Sequence, residues 1–309
     1  MKAVRIYAYG GPEVLQYEDV PQPTAAEGQV LVQLEATAVN PIDWKIRAGL
    51  LREMMSFSFP LILGCDLAGT VVQVGPKTSG FAVGDAVYGM PRQENGTYAR
   101  YAAVDATDIA PKPRSLDFVQ AASLPAVALT AWQGLFSAGG LEAGQSVLIH
   151  AAAGGVGSLA VQLAKVRGAR VIGTTSAGNV EFVRSLGADE VIDYKAVPFE
   201  QVVSGVDLVL DLLGGATQQR SWQLLRPGGT LVSTVFPRPV APREDVQATS
   251  MAVVPDAGQL AQITELIDSG KIRPIVGTVL PLSEVQQAHR LSETGHVRGK
   301  IVLTLADPD

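Results

Sequence analysis

Hydrophobic and polar positions divide the chain into two regimes. Over residues 1–110 the apolar runs are short and either alternate or are β-branched: Ala3–Tyr7, Gln29–Val39, Leu67–Val74, Ala86–Tyr88 and Tyr98–Val104. Gly-Gly-Pro at 10–12, Pro-Gln-Pro at 21–23, Val-Gly-Pro at 74–76 and Val-Gly-Asp at 83–85 separate them. Strand side chains alternate between faces, so this pattern predicts many short strands with tight turns, a compact barrel-like β domain. Pro111-Lys-Pro113 ends it. Ser115 opens a capped helix, and residues 119–139 are Ala-rich and helical, with Pro125 as a kink or a restart.

The pattern then switches to alternating strands and helices. A strand at 146–149 precedes a helix at about 157–167 and a strand at 170–174. A helix at about 178–186, ended by Gly187, precedes the strand Glu190–Asp193. A helix near Phe199–Val203 leads to the strand Val206–Leu210, and a helix at Gln218–Leu225, stopped by Pro227-Gly228-Gly229, leads to the strand Thr230–Thr234. Short connections of this kind predict an α/β, doubly wound parallel sheet covered on both faces. The proline- and charge-rich stretch 236–247 reads as a mobile loop near the site. Ala248–Val254 reads as a further strand at the sheet edge, and Gly258–Ser269 as an amphipathic helix. Pro274–Leu280, Leu282–Leu291 and Gly299–Leu305 give strand, helix and strand, the last returning to the first domain.

The chemistry centres on the first of these units. Val147, Leu148 and Ile149 run into Ala151-x-x-Gly154-x-x-Gly157 and then into a helix-forming stretch. Strand, glycine turn and helix open a dinucleotide-binding βαβ unit, with free N–H groups and the positive end of the helix dipole facing a pyrophosphate. An alanine stands where the usual fingerprint has its first glycine. An ordinary tight connection is the plain alternative, and the further βα units argue against it. The second strand ends in Thr174, Thr175 and Ser176, followed by Gly178 and Asn179, with no carboxylate. A carboxylate at this point would bond a ribose 2′-hydroxyl and repel a 2′-phosphate, so its absence favours NADPH over NADH. The plain alternative for Thr174–Asn179 is a polar turn.

Bulk properties narrow the partners. The chain has 309 residues, enough for two domains, with a net charge of −6 and no basic run. Nucleic acid and anionic membrane are poor partners for such a surface. One cysteine, Cys65, allows no internal disulfide, and the N-terminus runs straight into a strand without a signal-peptide core. No apolar run reaches the length of a membrane span. A cytoplasmic protein acting on a small molecule is expected.

Several stretches together carry a resemblance: Val39-Asn-Pro-Ile-Asp43, Gly64-Cys-Asp-Leu-Ala-Gly69 with Val74-Gly75, Gly96-Thr-Tyr-Ala99, Leu129-Thr-Ala-Trp132, Ala151 to Gly157, Leu186-Gly-Ala-Asp189 and Gly299-Lys-Ile-Val302. Over nearly all its length the chain resembles the zinc-independent quinone oxidoreductase branch of the medium-chain dehydrogenase/reductase superfamily. The resemblance implies a GroES-like β-barrel catalytic domain (1–120 and 266–309), a Rossmann NADP(H)-binding domain (121–265) and an active site in the cleft between them. It also suggests a homodimer, with the edge at 248–254 as the pairing surface.

Zinc-dependent relatives place a cysteine where this chain has Asn40, and a His-Glu pair where it has Cys65-Asp66. One cysteine with no nearby histidine builds no zinc site, so no metal is expected. Without that Lewis acid, hydride delivery from NADPH to a quinone or an α,β-unsaturated carbonyl fits better than alcohol oxidation. The alternatives are an enoyl-thioester reductase and a non-catalytic NADPH-binding protein of the same fold.

By resemblance, Asn40 and Asp43 line the pocket wall beside the nicotinamide, with Trp44 and Lys45 at the mouth and Lys45 placed to stabilise negative charge. Asn40 as a turn residue before Pro41, and Asp43–Lys45 as a solvated pair, are the plain alternatives. Ala151, Gly154, Gly155, Val156 and Gly157 take the pyrophosphate. Thr174, Ser176 and Asn179 take the adenosine ribose, Tyr194 the adenosine phosphate end, Thr130 the nicotinamide ring or ribose, and Phe236 covers the nicotinamide side. Surface packing is the alternative for Tyr194, and helix capping is the reading for Asp211.

Overall fold

The computed structural model describes residues 1–92, 96–236 and 238–305. It divides into two compact units. One comprises Met1–Ala126, Pro255–Ser269 and Pro274–Asp309, the other Val127–Val254 and Gly270–Arg273.

The first unit is built on the eleven-residue strand Gln29–Val39, which pairs antiparallel with Leu67–Val74, Tyr101–Asp105 and Lys300–Thr304. Ala86–Gly89 and Ile109–Pro111 extend the sheet on one side, Val276–Pro281 on the other. A second sheet joins Gln16–Asp19, Lys2–Ile6 and Leu61–Ile62. Val4, Val32, Leu34, Leu67, Val71 and Leu303 are among the side chains forming its core. Two registers bring distant polar residues together at one end of the long strand. Ile301 lies opposite Val39, so Lys300 falls beside Asn40. Ala68 lies opposite Ala36, which carries Asp66 to the same end.

The second unit carries six parallel strands in the order Glu190–Asp193, Arg170–Thr175, Ser146–Ile149, Val206–Asp211, Leu225–Ser233, Gln247–Ser250. The order reverses beside the central strand Ser146–Ile149. That is the topological switch point of a doubly wound sheet, where ligands bind at the strands' carboxyl ends. Leu148, Ile172, Val209 and Leu231 are register neighbours and fill the core on one face of these strands.

Local differences from the sequence pattern have physical reasons. The 119–139 helix is three pieces, Phe118–Ala122, Pro125–Trp132 and a wide-turn segment Gln133–Ala138. Pro125 lacks an N–H and starts the second piece, the position that tolerates it. The strand expected at 248–254 is Gln247–Ser250 only. Beyond it the Gln133 side-chain amide takes both backbone groups of Val254, at 2.8 and 3.0 Å. The Pro227-Gly228-Gly229 stretch lies within the strand Leu225–Ser233, at a register irregularity, rather than before it. The pattern gives no notice of the helix Pro41–Arg47, which is too short to show periodicity.

Gly69 shows how closely the first sheet is packed. A Cβ there would lie 2.0 Å from the backbone oxygen of Gln33 on the adjacent strand. Gly69→Ala should therefore destabilise this unit by about 1–3 kcal/mol, read as a lowered thermal midpoint. A wild-type midpoint would show that the two strands are free to separate.

Candidate functional site

In the second unit the central strand delivers the chain into the glycine turn. Ala151 has φ +50°, the left-handed region. An alanine there costs roughly 1–2 kcal/mol that glycine would not. The turn it makes aims the Ala151 carbonyl at the Gly154 N–H, 2.9 Å away. The helix Gly155–Arg167 begins next, and its first backbone bond runs from Ser158 N to Gly154 O, 2.9 Å. The N–H groups of Gly155, Val156 and Gly157 precede that bond and have no acceptor within the helix. Gly154 is the cap and supplies no side chain to cover them. Gly157 has to be glycine, since a Cβ would meet Ala151 O at 2.3 Å and Ala152 Cα at 2.7 Å. A bare, thirteen-residue helix start at a switch point fits a dinucleotide pyrophosphate. A cavity of about 550 Å³, lined by Gln162, Lys165, Lys271 and Arg273 among others, opens at the other end of this helix and shares no residue with the turn.

The other residues expected at the cofactor separate by orientation. Thr174 and Thr175 are buried, because both faces of this strand are covered. Thr174 Oγ1 lies 3.0 Å from His150 Nδ1, and His150 Nε2 lies 2.8 Å from Ser221 Oγ. Ser221 donates to Thr217 O, so Nε2 carries the ring proton and Nδ1 accepts from Thr174. Burial pulls His150 down to about 4, so it stays neutral. Thr174 is thereby an internal anchor. Ser176 and Asn179 are half-buried at the strand end, with Asn179 Nδ2 donating to Ser176 Oγ at 3.3 Å. Tyr194 is exposed beside them, its N–H bonded to Thr175 O at 3.1 Å. Lys195 places its ammonium 6.0 Å from the Tyr194 ring, a cation at this edge that the sequence pattern does not single out. Asp193, the register partner of Thr175, brings a carboxylate to this edge, with an oxygen accepting the Lys195 N–H at 3.1 Å. Phe236 is exposed just past the strand Leu225–Ser233, and Thr130 is half-buried on the helix Pro125–Trp132. Asp211 closes the turn after its strand, accepting the N–H groups of Leu213 and Gly214.

In the first unit Asn40 caps the helix Pro41–Arg47, and Asp43 Oδ2 accepts the Asn40 N–H at 2.7 Å. This is one half of a capping box, and Pro41 occupies the first helical position. The Asn40 side chain is fully engaged. Its amide donates to Asp66 Oδ2 at 2.7 Å and to Cys65 Sγ at 3.5 Å, while its oxygen accepts from Lys300 Nζ. Lys300 is buried, and its other protons reach Val39 O at 3.0 Å and Asp66 Oδ2 at 3.1 Å. Asp66 is wholly buried and also accepts the Ala126 N–H at 2.7 Å.

A second chain of bonds starts from Asp43. Tyr98 donates to Asp43 Oδ2 at 2.9 Å, and Tyr98 Oη lies 3.2 Å from His289 Nε2. Arg47 Nη1 is 3.2 Å from His289 Nδ1, and Arg47 also pairs with Glu293. Arginine only donates, so His289 accepts at Nδ1 and donates from Nε2. The chain thus runs one way, from Arg47 through His289 and Tyr98 to Asp43. Burial and the adjoining Arg47 charge hold His289 down to about 3. Burial pushes Asp43 up to about 6, against the bonds from Asn40 and Tyr98 and the Lys300 charge. Sequence reasoning finds Asn40 and Asp43 but misses Lys300, Asp66, Tyr98 and His289 as their partners. The available signal is a lysine beside the apolar run Ile301–Leu303.

Comparison with known proteins places these units in a family. Residues 26–114 match the alcohol dehydrogenase GroES-like domain, and residues 186–303 match the zinc-binding dehydrogenase family. The 2-methylene-furan-3-one reductase of Solanum lycopersicum is 37% identical over 316 residues, covering 98% of this chain and 79% of that protein. The NADPH-dependent alkenal/one oxidoreductase of Arabidopsis thaliana chloroplasts shows the same identity and coverage. The structure of the quinone oxidoreductase from Coxiella burnetii is 35% identical, with a TM-score of 0.90 over 99% of each chain. The chain belongs to the quinone oxidoreductase branch of the medium-chain dehydrogenase/reductase superfamily, with a GroES-like first unit and a Rossmann second unit. It is an oxidoreductase using a nicotinamide cofactor.

The family name zinc-binding raises a question that the donor set answers. Asn40, Cys65 and Asp66 do converge, but the ammonium of Lys300 stands among them, a cation where a second cation would have to sit. Burial and the Asp66 charge push the Cys65 thiol well up, which raises the cost of forming the thiolate that zinc would need. Among the described residues no group of three or more His, Cys, Asp or Glu is placed to hold a metal ion. These residues do not fit zinc.

The two buried titratable groups oppose each other with pH. Asp43 holds its proton more tightly folded than unfolded, so its contribution favours the fold at low pH and is lost as pH rises from about 4 to about 6. His289 resists protonation when folded, so its contribution falls away as pH drops from about 6.5 toward 3. Asp43→Asn removes only the first effect. Relative to wild type, the variant should gain stability at pH 7 and lose that advantage at about pH 4.5, as read by thermal unfolding. A difference that does not change with pH would show that folding leaves the proton affinity of Asp43 unchanged.

Proposed function

We propose that this protein transfers hydride from NADPH to a quinone or an α,β-unsaturated carbonyl acceptor without a metal ion. The observation that carries this reading is Lys300, whose ammonium occupies the donor cluster. No Lewis acid can be seated there to draw an alcohol proton off, so the acceptor has to be electron-poor already. Relatives named for enone and quinone reduction support the substrate class.

The cofactor, when bound, supplies the hydride. The residues of this chain hold and orient. The N–H groups of Gly155, Val156 and Gly157 would hold its pyrophosphate. At the adenosine end Ser176, Asn179, Tyr194 and Lys195 offer hydroxyl, amide, ring and cation, which suit a 2′-phosphate. Asp193 opposes this in part, through a carboxylate already bonded to the Lys195 N–H. Asn40, with its amide committed to Asp66, Cys65 and Lys300, holds the start of the helix Pro41–Arg47 rigid and has no spare strong donor for the acceptor.

The test is cofactor oxidation with 2-cyclohexen-1-one, an alkenal and a benzoquinone, using NADPH or NADH, with and without a chelator. NADPH should bind more tightly, turnover should occur with at least one acceptor, and the chelator should change nothing. Ser176→Asp should move preference toward NADH by charge repulsion, by about 10-fold or more. Inactivity on every acceptor, or activity lost with extracted zinc, would overturn the reading.

A further inference from the structure

We infer that the indole N–H of Trp44 is the hydrogen-bond donor that receives the carbonyl oxygen of the acceptor. This rests on the reductase reading and adds the residue that touches substrate. Trp44 Nε1 is the one buried side-chain nitrogen or oxygen among the described residues without a hydrogen-bond partner. An orphaned buried donor is uncommon in a folded protein and calls for a partner from outside the chain.

Loose packing does not account for it. Close by in the chain, Asn40 is bonded to Asp66 and Lys300, and Asp43 to Tyr98 and the Asn40 N–H. The helix Pro41–Arg47 turns Asp43, Ile46 and Arg47 inward and leaves Trp44 and Lys45 half-buried on its other side. Nε1 itself is shielded, while the side chain as a whole is half-buried, so under this assignment a ketone oxygen would reach Nε1 on a rotation of the ring. Lys45 Nζ lies 5.8 Å from the Trp44 ring centre, and its ammonium makes no hydrogen bond or ion pair among the described residues.

Indole and ammonium can only donate. Two adjacent donors without an acceptor suit an oxygen that gains negative charge, as a carbonyl oxygen does when hydride adds to its conjugated alkene. The donation is worth more where bulk water is excluded. Recognition is thus of a carbonyl oxygen, whatever apolar body carries it.

The test uses the three tryptophans, Trp44, Trp132 and Trp222, whose indole N–H groups give separate resonances in a nitrogen-15 labelled sample. Trp44→Phe keeps the ring and deletes the donor, and it identifies the Trp44 resonance by its absence. If that variant fails to fold, Trp132→Phe and Trp222→Phe identify it by elimination. With NADP⁺ bound, cyclohexanone should shift the Trp44 resonance and cyclohexane should not. In Trp44→Phe, kcat/KM for 2-cyclohexen-1-one should fall about 10- to 50-fold, with the affinity for NADPH unchanged and the thermal midpoint not lowered. A Trp44 resonance that responds alike to ketone and hydrocarbon, or a variant within about two-fold of wild type, overturns the assignment. The two failures are separable. A wild-type enzyme that reduces no acceptor removes the reductase reading, whereas an active wild type matched by Trp44→Phe removes only Trp44.

Discussion

Everything in the first unit's polar interior depends on one buried cation. Lys300 comes in on the strand that pairs with Gln29–Val39, and the register leaves its ammonium no route to water. A buried charge alone is unfavourable by several kcal/mol, and the compensation lies in three oxygens: Val39 O, Asn40 Oδ1 and Asp66 Oδ2. Those contacts then fix the neighbours. Asp66 is held by Lys300, by Asn40 and by the Ala126 N–H, and Asn40 is held as the cap from which the next helix starts. The same ammonium is what makes the cluster unsuitable for a metal, so fold and chemistry follow from a single residue.

The helix that begins at Asn40 links this cluster to a second one. Asp43 faces inward to the Tyr98–His289–Arg47 chain, and that chain has a fixed direction because arginine cannot accept. Trp44, on the next position, is half-buried and carries the donor left over. A rigid helix start, braced from behind by two saturated networks, leaves this one group available, and such bracing is what a positioned substrate contact requires.

Much of this architecture was legible in the sequence, where periodicity and turn chemistry are strong. The strand-turn-helix at Ser146–Arg167 and the parallel alternation after it followed from apolar runs and glycine spacing. The helix Pro41–Arg47 did not, although Asn40, Pro41 and Asp43 are start signals, because seven residues give no period to read. Thr174 read as a ribose contact among other polar residues at the strand end. It is internal because a strand covered on both faces buries successive side chains. Lys300 was hidden differently. Beside an apolar run, a lysine's burial is decided by partners 234 and 260 positions away in the chain, at Asp66 and Asn40, and no local pattern encodes those.

The central claim is that Lys300 and Asp66 act as one unit, and a double-mutant cycle measures that directly. Lys300→Met and Asp66→Asn are compared singly and together by denaturant unfolding of the first unit. Each single change strands a buried polar partner and should cost about 3–5 kcal/mol, whereas the double variant, with neither charge, should lose no more than the worse single one. Single variants as stable as wild type, or losses that simply add, would contradict the account.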